Sequence, residues 1–541
     1  MTRIDERVST HVYKVKRISK EEMESIAGVC VYDQPPFCNA ACPLKLDVKA
    51  MLKAAAENDF KKAFKIYESI APFPLILSAG CGAPCEEKCR LCELGDGIAI
   101  GDIERAVALS GGAGEKRSIF RVRKKKKAAV FGSGLFALLL AGELEKKGYP
   151  VTAICGEADE EEYLRVAAGF LRENDFYTEL KRLRGKDIAF EFNAEMTREL
   201  FEEKRGGFDV LCASEKAALD IFPGAVRDEG IMLMESEGLL TGGGETVLEA
   251  ALGARKAALT ADRLAQGIDP RSARGEEGPV TSRLYTNPDL ARGLIRIKGC
   301  ESGDTREQAA EEAGRCMQCH CDECLRGCAY LRRFNKHPGL LSREIYNNTQ
   351  IIMGDHPLNR AMNACALCGQ CTVTCPHGFD MAHVCRTARE NMVDTDKMPL
   401  AAHEFALLDM LFSNGEAYLC RKQPGHSHCR YVFFPGCQAA AIAPEAVIAA
   451  YEDLCTRLKG GVALMLGCCG AIAHWAGRGE MYGEVSDKIA AELAALEDPV
   501  IIAGCPSCMK LLSEQDMAET VGIWTVLRDR GLPDGARGCG R

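Results

Sequence analysis

The sequence predicts a multidomain α/β chain, in which two α/β segments alternate with two helical, cysteine-bearing ones. Three observations carry this. The 541 residues amount to roughly three or four domains. Hydrophobic residues make up 47% and charged residues 27%, the balance of a folded chain with several cores rather than a disordered one. The 29 cysteines are clumped, with seven in residues 1–115, two in 116–299, eleven in 300–385 and nine in 386–541. The expected segments are 1–115 (helical), 120–268 (α/β), 290–400 (helical) and 425–541 (α/β).

Composition also excludes several classes. A net charge of −9 argues against a general nucleic-acid binder. The basic run RVRKKKK (121–127) reads as a solvated lead-in to a strand. No apolar run reaches ~18 residues, so no spanning helix is expected. The N-terminal stretch lacks the apolar region of a secretory signal, and the expected location is cytoplasmic. A disulfide scaffold is short, secreted and evenly paired. Clumped cysteines in an odd number point to metal instead, with iron–sulfur clusters first.

In the first segment, VKAMLKAAAENDFKKAFKIYESIA (48–71) has helical apolar spacing and is stopped by Pro72 and Pro74. SGGAGEKR (110–117) reads as a linker. In the second, AAVFG (128–132), VTAIC (151–155), FDVLCA (208–213) and IMLM (231–234) read as strands, and 135–148 and 245–267 as helices. That alternation predicts a doubly wound parallel sheet. A polar linker (269–288) follows. In the last segment YVFFPG, VALMLG and VIIAG read as strands, each running into a cysteine.

Residues 365–376, CALCGQCTVTCP, form the C-x2-C-x2-C-x3-C-P run of bacterial ferredoxins, which wraps three thiolates round one 4Fe–4S cluster and sends the fourth to a neighbour. The partner run holds Cys316, Cys319, Cys321, Cys324 and Cys328, five cysteines for four places. Crossover places Cys328 with Cys365, Cys368 and Cys371. Cys375 then joins Cys324, Cys316 and either Cys319 or Cys321, with Cys319 preferred for its C-x2-C opening. His320 reads as a hydrogen-bonding or exposed residue. Two such clusters side by side make a helical dicluster domain suited to one-electron relay.

Cys437, Cys468-Cys469-Gly470 and Cys505-Pro-Ser-Cys508 each end a predicted strand, so the five thiols can meet at one sheet edge. The pattern resembles the CCG domain of heterodisulfide reductase catalytic subunits. The resemblance implies a noncubane 4Fe–4S cluster that cleaves a disulfide, with these five cysteines as the catalytic set. Zinc, which some relatives hold, is the alternative, and bare thiols the third. His474 and Trp475, just after the CC-Gly, read as packing residues rather than as the lining of a substrate pocket.

Cys30-x7-Cys38-x3-Cys42, Cys81-x3-Cys85-x3-Cys89 and IGDIER (100–105) resemble the N-terminal domain of the glutamate synthase small subunit, and dihydropyrimidine dehydrogenase carries a related domain. The resemblance implies one or two interleaved 4Fe–4S clusters. Cys42, Cys81, Cys85 and Glu104 would bind one, and Cys30, Cys38 and Cys89 the other. The family's remaining cysteine falls at Asp33, and either Cys92 or Asp33 itself would complete the second set.

Gly132, Gly134 and Ala137 give G-x-G-x-x-A between a strand and a helix, a dinucleotide-binding signal. The tail TGGGETVLEAALGARKAA (241–258), with Gly242 and Gly243, resembles the closing FAD segment of the same family. FAD and an empty Rossmann-like domain are both open, because Cys155 replaces the acidic ribose ligand. No second Gly-rich motif appears, so the NADPH insertion is missing and NAD(P)H would act only through a partner.

The expected function is that of an iron–sulfur oxidoreductase or electron-transfer subunit. It would relay electrons between the N-terminal clusters, the ferredoxin pair and a CCG cluster that reduces a disulfide or similar acceptor, with other redox subunits as partners. An anaerobic setting is the matching expectation. The alternative is a metal-stabilised scaffold with an empty Rossmann-like domain and zinc in the CCG domain. Cys300, Cys385, Cys420, Cys429, Cys455 and Cys539 fall outside the sets, and a Cys420–His426–His428–Cys429 zinc knuckle is the weaker reading of that loop.

Overall fold

The computed structural model describes residues 19–111, 123–272, 274–275, 277–298, 305–352, 354–399 and 401–532. Residues 112–117 of the expected linker, Arg121 and Val122 of the basic run, Ala273 and Glu276 of the second linker, Cys300 and Cys539 lie outside the described residues. The chain is multidomain α/β, with two sheets and many helices, and divides into two compact units. One unit is Val31–Cys321; the other combines Met1–Cys30 with Asp322–Arg541. The division falls inside two of the cysteine sets, after Cys30 and after Cys321.

The Val31–Cys321 unit contains a six-stranded sheet. Its strands are β1 (Ala128–Phe131), β2 (Val151–Ile154), β3 (Ile188–Glu191), β4 (Val210–Ser214), β5 (Leu233–Met234) and β6 (Leu239–Gly242), in the order β3-β2-β1-β4-β6-β5. All neighbours are parallel except β5 and β6. β1 and β4 are buried along their whole length, as strands covered on both faces must be. The helix Leu135–Lys146 packs on Val247–Gln266 over the sheet. IMLM shortens to β5 because Met232 adopts a left-handed φ of 57°.

A second group of helices in this unit carries the N-terminal cysteines. The single helix expected over 48–71 is two, Val48–Ala56 and Phe60–Glu68. Asn58 turns left-handed at φ 60°, and the Asp59 side chain accepts from Lys62 N as the cap of the second helix. The helix Arg306–Gly314, distant in sequence, packs on both Val48–Ala56 and Ile100–Ser110. The described part of the basic run is occupied, with Arg123 paired to Asp187 and Lys124 to Asp262.

The other unit contains a five-stranded sheet of β7 (Leu419–Arg421), β8 (Tyr431–Phe434), β9 (Val462–Leu466), β10 (Val500–Ala503) and β11 (Thr520–Gly522), in the order β11-β10-β8-β9-β7. β10, β8 and β9 are adjacent and parallel. Ahead of this sheet lies a helical lobe in which Lys20–Ala27 packs on Pro338–Gln350, and that helix on Met381–Asp394. Among the described residues no helix is long and apolar enough to cross a membrane.

Candidate metal centres

The clearest convergence lies at the carboxyl ends of β8, β9 and β10. Cys437 opens a short helix after β8, Cys468 and Cys469 follow β9, and Cys505 caps the helix Pro506–Glu514 after β10. Hydrogen bonds link Cys437 to Cys468, Cys468 to Cys469, and Cys469 to Cys508. Gly436 sits at φ 87°, and a Cβ there would lie 3.0 Å from the Cys505 Cβ and 3.3 Å from the Cys508 Sγ. Only glycine lets the backbone come this close to the thiols. All five expected cysteines therefore meet at one edge.

In the Val31–Cys321 unit a second set forms around Glu104. Its carboxyl is buried, and desolvation raises it to about 8. Cys81 is raised to about 12 by burial first and then by Glu104, which also acts on Cys42 and Cys85. Leu46 N donates to the Cys42 Sγ at 3.4 Å. Tyr67 is fully buried beside all four groups, and its hydroxyl has no hydrogen-bond partner among the described residues. An orphaned hydroxyl aimed at three thiols and a carboxyl fits a site built round an absent acceptor. Sequence reasoning missed Tyr67, because a tyrosine on the apolar face of a helix carries no signal.

The remaining N-terminal cysteines assemble differently from expectation. Cys38 and Cys89 line one apolar cavity with Cys316 and Cys319. Cys92 is exposed and donates to the Glu86 carbonyl at 3.4 Å, and Asp33 is exposed. Cys30 packs in the other unit's helical lobe, where a Cβ on Gly339 would lie 2.9 Å from its Cβ. Of the expected set, Cys38 and Cys89 line this cavity, and Cys316 and Cys319, expected in the ferredoxin pair, line it with them.

In the helical lobe Cys30, Cys324, Cys328, Cys365, Cys371 and Cys375 border one core. The short helices Glu323–Gly327 and Gln370–Thr374 pack together, with Thr374 Cγ2 2.9 Å from where a Gly327 Cβ would stand. Cys328 and Cys375 follow these two helices directly. Cys385, left outside the sets by sequence, is buried and hydrogen-bonded to Cys365, which holds Cys365 down to about 7. Cys321 ends the other unit. His320 is exposed, with Nδ1 2.8 Å from the Gln318 carbonyl. His428 pairs with Glu497 at 3.0 Å, and Cys420 lies against Glu492, so the knuckle residues are engaged elsewhere.

Cys368 is exposed on a cleft of about 490 Å³. Pro506 and Ser507, between Cys505 and Cys508, form another part of its wall, as do His383, Arg386, His474 and Lys510. His474 and Trp475 therefore line a cleft as well as pack. Among the described residues no three His, Cys, Asp or Glu side chains close round a single ion position. The thiol sets are neighbourhoods rather than pre-closed single-ion sites.

The Gly-rich loop is more open than the closing segment. Met232 and Phe136 fill the space at Gly242, and Glu215 stands against Gly243. Glu249 Oε2 takes the N–H groups of Glu245 at 3.0 Å and Thr246 at 3.1 Å, the donors that would hold phosphate at this helix start. Cys155 is buried where a ribose acid is needed, and burial followed by Glu157 raises its thiol to about 12. Gly132 packs on Ser214 and Ala217, Gly134 faces open space as the N-cap of the helix Leu135–Lys146, and Ala137 is buried in the first turn of that helix.

Comparison with known proteins agrees with the cysteine architecture. Residues 7–112 match the family described as dihydropyrimidine dehydrogenase domain II, 4Fe-4S cluster; residues 315–380 match a 4Fe-4S dicluster domain; residues 431–513 match a cysteine-rich domain of the CCG type. The chain is built on iron–sulfur modules of the oxidoreductase kind. Its similar proteins are themselves redox subunits. The NADPH-Fe(3+) oxidoreductase subunit beta of Geobacter sulfurreducens is 28% identical over 230 residues, covering 40% of this chain and 33% of that protein. The NADP(+)-dependent formate dehydrogenase subunit beta of Moorella thermoacetica is 28% identical over 159 residues, covering 25% and 21%. The glutamate synthase (NADPH) small chain of Azospirillum brasilense is 29% identical over 146 residues, covering 25% and 29%. The chain spans a third or less of the length of these relatives. This chain is thus similar, at low identity, to parts of redox subunits.

Proposed function

We propose that this chain is an electron-transfer subunit of a larger oxidoreductase, taking electrons from a partner subunit and passing them to an acceptor at the CCG cysteines. The observation that carries the reading is the cleft where Cys368 and the Pro506–Ser507 turn share a wall. It supports transfer between the dicluster lobe and the five-thiol site within one compact unit.

When bound, clusters at these thiol sets supply one-electron steps, and a noncubane cluster at Cys437, Cys468, Cys469, Cys505 and Cys508 offers iron to an acceptor sulfur. The acceptor class is a disulfide: two electrons and two protons turn RSSR into two thiols. Arg386 and Lys510 bring positive charge to the cleft, and Asp380 and Glu514 negative charge. Arg386 Nη1 donates to His474 Nε2 at 3.2 Å, and burial, then Arg386, keeps that imidazole below its usual range. His474 is therefore neutral near pH 7 and holds Arg386 at the cleft wall.

The Rossmann-like domain works here without flavin, since its phosphate donors are already used. The names of the relatives carry NADPH or NADP(+). In this chain nicotinamide electrons enter through a partner.

Protein purified anaerobically is expected to be brown, with roughly 20 iron atoms for five four-iron sites. After reduction with dithionite, oxidised glutathione should restore its visible absorbance. Cys468→Ser with Cys469→Ser should abolish that restoration and spare the ferredoxin-type signals. Colourless, zinc-loaded protein would overturn the reading.

A further inference from the structure

We propose that Cys38, Cys89, Cys316 and Cys319 together hold one 4Fe–4S cluster, joining the N-terminal module to the first two cysteines of the run assigned to the dicluster module. The proposal rests on the reading that the thiol sets of this chain hold clusters, and goes beyond it in naming a set that crosses the two matched modules.

Cys38, Cys89, Cys316 and Cys319 stand round one cavity, whose other walls include Leu52, Leu91 and Ile98. Four cysteines gathered in one apolar pocket are the donor set that a 4Fe–4S cluster takes. The Cys316-x2-Cys319 spacing supplies the pair that Asp33 interrupts near Cys30.

The segment carrying that pair is fixed by buried charge. Glu312 and Arg315 pair at 2.5 Å with side chains 0% and 5% exposed. Glu312 accepts from Ala99 N at 3.0 Å and Ile297 N at 2.9 Å, and Arg315 donates to the Asp96 carbonyl at 2.6 Å. Both oxygens of the buried carboxylate accept hydrogen bonds, which offsets the cost of burying the pair. Beyond it, Lys49 Nζ donates to the Cys319 carbonyl at 2.9 Å. Gln318, left-handed at φ 51°, donates Nε2 to both the Lys49 carbonyl and the Cys316 Sγ at 3.3 Å. An N–H donor on a ligand sulfur is a device that tunes a cluster's potential.

The test uses the full chain, purified anaerobically. Cys316→Ser with Cys319→Ser should lose about four iron atoms and one paramagnetic component of the reduced protein. Cys92→Ser should lose neither. Gln318→Ala should keep all the iron and lower one cluster's potential. Thiol alkylation keeps the test decisive should the double variant fail to fold: in the wild type the four cysteines should be protected together and labelled together after chelation. If the wild type holds no iron, the wider functional reading fails. If it holds iron but Cys316 and Cys319 label freely, or the double variant keeps every iron atom, or zinc alone occupies the four thiols, this proposal is overturned.

Discussion

Arg389 Nη1 donates to the carbonyl of Trp475 at 2.6 Å. The same guanidinium, 1% exposed, donates to the carbonyls of Met362 and Cys365. One buried cation thus ties the turn bearing a ferredoxin-type cysteine to the helix that follows the CC-Gly. Arg389→Met leaves three carbonyls without this donor, and a buried acceptor left unpaired costs about 1–3 kcal/mol. Thermal unfolding should show a clear drop, and stopped-flow mixing with disulfide a slower reoxidation. Arg389→Lys keeps the charge without the fork and should recover only part of either.

Gly477 closes the same joint. It sits at φ 76°, and a Cβ there would lie 2.5 Å from Glu390 N and 2.6 Å from Arg389 C. Gly477→Ala should destabilise by about 1–3 kcal/mol or more, since both the backbone angle and the contact oppose it. Chemical denaturation measures this, and a wild-type midpoint would contradict the close approach.

Tyr67→Phe separates apo from loaded protein. The hydroxyl has no hydrogen-bond partner among the described residues, so its loss should leave apo stability unchanged or raise it by about 1 kcal/mol. In loaded protein the potential of the cluster at Cys42, Cys81, Cys85 and Glu104 should fall, because a donor to it is gone. Redox titration followed by electron paramagnetic resonance reads the shift.

Glu179 gives a pH dependence. It is fully buried, accepts from Leu75 N at 2.7 Å, and is raised by burial from 4.5 to about 7. Between those values the native chain holds a proton that the unfolded chain has released. Stability therefore falls as pH rises through that window. Glu179→Gln stays neutral and should exceed the wild type above about pH 7, by on the order of 3 kcal/mol, and match it below about pH 4.5. Denaturation midpoints that track wild type at both pH values would refute this.

Acid precipitation should release no yellow flavin into the supernatant. Glu249→Ala would free the Glu245 and Thr246 N–H groups now held by its carboxylate. Added FAD should still bind neither protein, because Phe136 and Met232 fill the neighbouring space; equilibrium dialysis decides.

Much of this molecule was legible in its sequence. β1, β2, β4, β8, β9 and β10 are short apolar runs next to turn residues, and the five CCG cysteines follow because three of those strands end at them. β3 escaped because IAFE is half-exposed, and β7 and β11 because three-residue edge strands carry too little pattern. The sharing of Cys316 and Cys319 was hidden for a different reason. A C-x2-C pair has the same spacing whichever site it serves, and what decides is the burial of Glu312 and Arg315 against residues some two hundred positions away. Cys385 sat alone in a helix, with nothing local to link it to Cys365.

The docking of Arg306–Gly314 onto Val48–Ala56 also sets a clock. A chain emerges from the ribosome N-terminus first, so Cys38 and Cys89 are exposed well before Cys316 and Cys319 exist. The set at Cys42, Cys81, Cys85 and Glu104 is complete by residue 104 and can be filled early. The cavity lined by Cys38, Cys89, Cys316 and Cys319 is complete only after the whole six-stranded sheet has been synthesised. If the proposed set holds its cluster, filling of the two N-terminal sites is ordered by translation, and a chain interrupted between residues 111 and 316 would leave Cys38 and Cys89 without Cys316 and Cys319.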